Sequence, residues 1–117
     1  MMYKFYDTCS LLLKANHLWD EDCTLVISSI TLEELEHIKT SANKDPDVKF
    51  AARKVVHELD QHYGDYEIVI WSSDFALSLL SNEDGKIIAC ADWFARNHQD
   101  DEVIFVTNDL CCKHLAR

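Results

Sequence analysis

What this chain lacks narrows it before anything it contains. Its 117 residues include only two glycines and one proline, too few for a compositional linker or a low-complexity tail. Neither G-x-x-x-x-G-K-[ST] nor G-x-G-x-x-G occurs, which removes the usual loops that cradle nucleotide phosphates. No apolar run approaches the roughly 20 residues of a membrane helix. The start, MMYKFYDT, has no basic stretch followed by an apolar one, so no signal peptide is expected. The cysteines (Cys9, Cys23, Cys90, Cys111, Cys112) are odd in number and form no C-x-x-C pair. They read as reduced, mostly buried thiols of a cytoplasmic protein, and neither as a disulfide framework nor as a zinc site. The six histidines are scattered, with no H-E-x-x-H or H-x-H pattern. Positive charge is scarce as well: 11 Lys and Arg against 21 Asp and Glu give a net charge of −10. That weighs against broad, nonspecific nucleic-acid binding through a basic surface. It also leaves an excess of carboxylates to be explained.

What is present is a regular alternation. With 48% apolar residues, residues 1–117 read as one domain around one core. Residues 3–7 predict a short strand, and Thr8 to Ala15 a short helix. CTLVISS is a buried strand, and TLEE then opens a helix with capping-box spacing at Thr31, running to about Thr40. Pro46 begins a longer helix whose inward face is Val48, Ala51, Ala52, Val55, Val56, Leu59 and Tyr63, stopped by Gly64. YEIVIW is the third strand, and SSDFALSLL is ambiguous between helix and anchored loop. SNEDGK opens another helix with Ile87, Ile88, Ala91, Phe94 and Ala95 inward. EVIFVT is the fourth strand, and NDLCCKHLAR begins a last helix. Strands alternating with helices imply an α/β fold, a three-layer α/β/α sandwich with a central parallel sheet.

Four acids fall just past strands in this pattern: Asp7, Glu34, Asp84 and Asp109. Each has a plain explanation. Asp7 and Asp109 can cap helices, Glu34 can close the capping box of Thr31, and Asp84 gains from a helix dipole. Together they are more specific, because residues beyond the carboxyl ends of parallel strands gather on one rim, where such folds bind ligands. Carboxylates crowded there repel one another unless a hard divalent cation neutralises them. An all-carboxylate site selects Mg²⁺ or Mn²⁺ over zinc, and the chemistry it suggests is phosphodiester hydrolysis.

The same segments resemble the PIN domain, a family of metal-dependent ribonucleases, and in particular the PIN modules found beside PhoH-type ATPases. YDT resembles the family's D-T-N, ITLEELEHIK its V-L-E-E-L-x-x-L-K, NEDGKIIACA its N-D-x-R-I-L-A-x-A, and FVTNDLCCKHLA its V-S-x-D-x-x-L-R-x-x-A. The resemblance implies that Asp7, Glu34, Asp84 and Asp109 are catalytic metal ligands. It implies that Lys39 and Arg53 bind substrate phosphates, that single-stranded RNA is the substrate with 5′-phosphate products, and that a homodimer is a natural assembly. The chain departs from the pattern at Cys9, where an asparagine amide would support the first acid, and at Gly85-Lys86. It also stops soon after Asp109, where many members add a further strand and helix, so residues 1–117 are expected to be a single PIN-like domain short of a C-terminal strand. Two other readings compete. One is a catalytically inactive PIN-like module that binds RNA or protein; the other is a receiver-like phosphoryl-transfer domain, whose paired early acids are missing here.

Overall fold

The computed structural model describes residues 1–42, 45–75 and 82–107, apart from the side chains of Glu83 and Asp84. In chain order the elements are β1 (Met2–Tyr6), α1 (Thr8–Leu13), β2 (Thr24–Ser28), α2 (Ser29–Thr40), α3 (Pro46–Gln61), β3 (Tyr66–Val69), α4 (Glu83–Arg96) and β4 (Glu102–Val106). The strands form one parallel sheet in the order β3-β2-β1-β4. Alternation along the strands sorts the side chains by face. Tyr6, Leu25 and Ile27 pack with Leu11, Leu35, Ala52, Val55 and Leu59 of α1, α2 and α3. Tyr3, Phe5, Val26 and Val69 pack with Ile87, Cys90, Ala91 and Phe94 of α4. The expected three-layer α/β sandwich is therefore the observed architecture. No helix among the described residues is long and apolar enough to cross a membrane.

This order fixes where a ligand site belongs. From β1 the chain steps outward to β2 and β3 along one face, then crosses to the other side of β1 through α4. The reversal falls between β1 and β4, and open parallel sheets bind ligands at the carboxyl ends of strands at such a switch point. α4 runs against the strands. Phe94 and His98 stand against Tyr3 near the start of β1, with ring centroids 5.0 Å from it, so the first turn of α4 lies toward the carboxyl rim.

Several local expectations are corrected. α2 begins at Ser29, two residues before Thr31, because Ser28 is the cap and its side chain accepts the Thr31 N–H at 3.1 Å. Thr31 is thus inside the first turn, and Glu34 is not part of a capping box. α3 starts as expected, with Pro46 in its first turn behind the Asp45 cap, but ends at Gln61. Tyr63 then falls in the turn and is exposed, as is Val48. Gly64 sits at φ +95 with open space where a side chain would be, so conformation rather than crowding calls for glycine. Ala95 faces solvent, and β3 ends at Val69. Of the described cysteines only Cys90 is buried, while Cys9 is exposed and Cys23 half-buried. Residues 76–80 of the ambiguous SSDFALSLL stretch and the expected last helix lie outside the described residues.

Candidate metal and phosphodiester site

Asp7 follows β1, and Thr107 follows β4 at the matching place in the register, since Tyr6 pairs with Val106. The Asp7 backbone N–H continues the ladder to the Val106 carbonyl at 3.2 Å. The Asp7 side chain is the N-cap of α1: one oxygen accepts the Ser10 N–H at 2.8 Å, and the other accepts the Thr107 hydroxyl. Cap and cross-strand bond together hold the carboxylate across the switch point. Asp7 is only 1% exposed, and among the described residues no cation pairs with it. Both donors to this buried carboxylate are neutral groups. The two hydrogen bonds use two of its roughly four acceptor positions.

The second acid comes from α2. Thr8, the first residue of α1, places its Oγ1 2.8 Å from Glu34 Oε1 and 3.1 Å from Thr31 Oγ1. Thr31 Oγ1 is in turn 3.3 Å from Ser28 Oγ. A hydroxyl has one proton to give, and the carboxylate is the stronger acceptor. The proton order that satisfies the chain therefore runs from Ser28 to Thr31 to Thr8 to Glu34. Asp7 and Thr8 are neighbours in sequence, so this relay brings the first and second acids to one side of the sheet. Ser10 adds an unused group: its Oγ is buried and meets no hydrogen-bond partner among the described residues.

The other expected residues are placed less fully. Asp84 is the second residue of α4, after the Asn82 cap whose side chain accepts the Gly85 N–H at 2.6 Å. Its backbone stands at the rim side of the sheet. Asp109 lies outside the described residues. Among the described residues no group of three His, Cys, Asp or Glu side chains could hold a metal ion; Asp7 and Glu34 are the pair the described part supplies. Their donor set of carboxylate and hydroxyl oxygens fits Mg²⁺ or Mn²⁺. Lys39, in the last turn of α2, is ion-paired with Glu36 at 3.2 Å. It follows Glu34 by five residues, about 140° around a helix of 3.6 residues per turn, so the two side chains leave α2 on different faces. Arg53 is exposed on α3 and has no acid partner among the described residues.

Sequence reading missed the hydroxyls. Thr107 supports Asp7 through its hydroxyl, and the signal was the hydroxyl residue in FVTND, where the family pattern has serine. Thr31 was legible only as a helix start, and Ser28 only as part of the strand CTLVISS.

A parallel α/β sheet with Asp7 fixed at its switch point and Glu34 linked to the neighbouring Thr8 defines an α/β domain with acids at its carboxyl rim. The sequence makes the class specific: residues 5–117 match the PIN domain, and the chain belongs to the PIN domain family. No curated protein matches the chain significantly.

Proposed function

We propose that this protein is a divalent-metal-dependent endoribonuclease that hydrolyses phosphodiesters of single-stranded RNA. Asp7, Glu34, Asp84 and Asp109 would hold Mg²⁺ or Mn²⁺. The observation that carries the reading is the linked pair at the switch point, where a buried Asp7 without a cation partner among the described residues adjoins the Thr8 hydroxyl bonded to Glu34. When bound, such an ion polarises the phosphate and lowers the pKa of an attacking water. The chain's own part is positional. The Ser10 N–H and the Thr107 hydroxyl fix Asp7, and Thr8 fixes Glu34. Arg53 and Lys39 steer the phosphate backbone, as the family likeness suggests. The same likeness underlies three further parts of the proposal: kinship with modules beside PhoH-type ATPases, 5′-phosphate products and a homodimer.

A second reading has one observation in its favour. Asp7 already caps α1 and is almost wholly buried, which is a sufficient structural role for a non-catalytic module that binds RNA or protein. Incubation of end-labelled single-stranded RNA with the protein and Mn²⁺ separates the two. Cleavage abolished by chelator and by Asp7→Asn supports the nuclease. Binding with no cleavage at any Mn²⁺ concentration supports the module.

A further inference from the structure

Beyond the acidic rim, the opposite face of the sheet carries a line of aromatic rings with a cation among them. Trp71 follows β3, and its backbone N–H donates to Ser29 Oγ at 3.0 Å, which ties it to the start of α2 and so to the rim. The Lys86 ammonium, from the first turns of α4, sits 4.9 Å from the centre of a Trp71 ring. Two turns further along α4, Trp93 stacks on Phe75, with centroids 5.3 Å apart and planes 14° from parallel. Trp71 and Phe75 rest on the core beneath α4, whereas Trp93 is 40% exposed. Lys86 and Trp93 are seven residues apart and share one helix face.

Charge selects the occupant. In this acidic chain Lys4, Lys14, Lys39, Lys54 and Arg96 are all locked to carboxylates. Lys86 has no acid partner among the described residues and is held on an indole instead, where a cation is stabilised without being neutralised. Next to it the Asp92 carboxylate is engaged by Arg96 at 2.8 Å, so the charge adjoining Trp93 is largely cancelled. Flat apolar rings beside an available cation match a polyanion with flat apolar bases. We propose that Trp71, Lys86 and Trp93 form a base-stacking platform for single-stranded nucleic acid, which runs from the rim down the outside of α4. Bases stack on the exposed indole, and Lys86 takes a backbone phosphate. The platform supplies affinity that the acid-lined rim cannot. It rests on the nuclease reading, since it identifies how that site's substrate would be held.

The test is a fluorescence-anisotropy titration of a labelled oligouridylate in chelator, so that no strand is cleaved, with wild type, Trp93→Ala, Trp93→Phe and Lys86→Gln. Trp93→Ala should weaken binding about tenfold, and Trp93→Phe, which keeps an aromatic face, should recover most of the loss. Lys86→Gln should flatten the dependence of log K on log salt by about 0.7, the share of one phosphate contact on a single strand. On an abasic oligonucleotide the Trp93→Ala effect should vanish and the Lys86→Gln effect remain. Melting curves separate binding from folding, and Trp93→Phe and Lys86→Gln keep the test decisive if Trp93→Ala unfolds. Equal affinity for all four proteins, or no binding by wild type, overturns the platform; Mn²⁺-dependent cleavage by wild type in a parallel assay would leave the nuclease reading standing. Unchanged RNA affinity together with self-association that Trp93→Ala abolishes, measured by light scattering, would reassign the patch to a protein contact.

Discussion

Two carboxylates at opposite ends of the same sheet are held in opposite ways. At the amino end Glu21, ahead of β2, receives the Lys4 ammonium, the Tyr6 hydroxyl at 2.6 Å and the Lys14 ammonium at 3.2 Å. These donors, Lys4 foremost, hold its carboxyl down at about 2, against an ordinary value of 4.5. At the carboxyl end Asp7 is deeper than Glu21 yet is held by a backbone N–H and a hydroxyl. Burial ordinarily demands charge pairing. Here the half-exposed acid has two cations and the buried one has none among the described residues. The first arrangement serves the fold. The second leaves a buried carboxylate with neutral partners and, among the described residues, no cation beside it.

The sharpest break in that comparison comes from removing one charge at each end. Asp7→Asn should reduce Mn²⁺-dependent RNA cleavage by at least the roughly 10–100-fold that even a ligand's supporting partner is worth. Asparagine caps a helix about as well as aspartate, so in chelator this variant should melt no lower than wild type. Asp7→Ala, which loses the cap, should cost about 1 kcal/mol. If Asp7→Asn destabilises the metal-free protein and leaves cleavage intact, the carboxylate is a cap and the contrast between the two ends is accidental. The next effect in size is the response to metal. Mn²⁺ at a hundredfold excess over its Kd should stabilise wild type by about 2.7 kcal/mol, and Asp7→Asn or Asp109→Asn much less. Calorimetric melts with and without Mn²⁺ measure this; equal gains in all three proteins would place the ion elsewhere.

The two ends were unequally legible in the sequence. Most strands and helices among the described residues were readable, because β-branched runs such as LVIS and the spacing of Ala52, Val55 and Leu59 report periodicity directly. Asp7 and Glu34 could be singled out because each lies at or shortly after the step from a strand into a helix, which is a local signal. The relay of Ser28, Thr31 and Thr8 was hidden, since Thr8 lies on α1, Ser28 and Thr31 lie at the step from β2 into α2, and they meet only after folding. Thr31 was misread as a cap for the same reason: TLEE has the right spacing, but Ser28 lies nearer the strand end and satisfies the Thr31 N–H first. Glu21 was invisible as a network centre in the sequence. Its partners sit 17, 15 and 7 residues away on β1 and α1, and no periodicity links them.

Glu21 gives the third prediction, with its sign fixed by the lowered pKa. A carboxyl that ionises more readily when folded contributes stability that is fully present above 4.5 and is lost as pH falls from there toward about 2. Glu21→Gln should therefore cost most at pH 7, less than half as much at pH 3, and little at pH 2. With the group about one-third exposed, screening leaves roughly 1–2 kcal/mol of the effect. Urea unfolding of both proteins at pH 7 and pH 3 checks it. A gap as large at pH 3 as at pH 7 would mean that glutamine fails for packing rather than for charge.

The smallest effect concerns Thr8, the joint between the two rim acids. Thr8→Val keeps the shape and removes the hydroxyl that Glu34 accepts. Thr31 loses its Thr8 partner as well and keeps only the bond to Ser28 Oγ, 3.3 Å away, so the loss is the two hydrogen bonds of the Thr8 hydroxyl, about 1–2 kcal/mol. The single variant alone would not separate the bond from altered packing. A double-mutant cycle with Glu34→Gln does, because a carboxamide still accepts from Thr8 but without the charge. The two substitutions should be non-additive by about 0.5–1 kcal/mol in chelator. Additive losses would mean that Thr8 and Glu34 do not sense each other, and that the rim acids are positioned independently rather than through a shared hydroxyl.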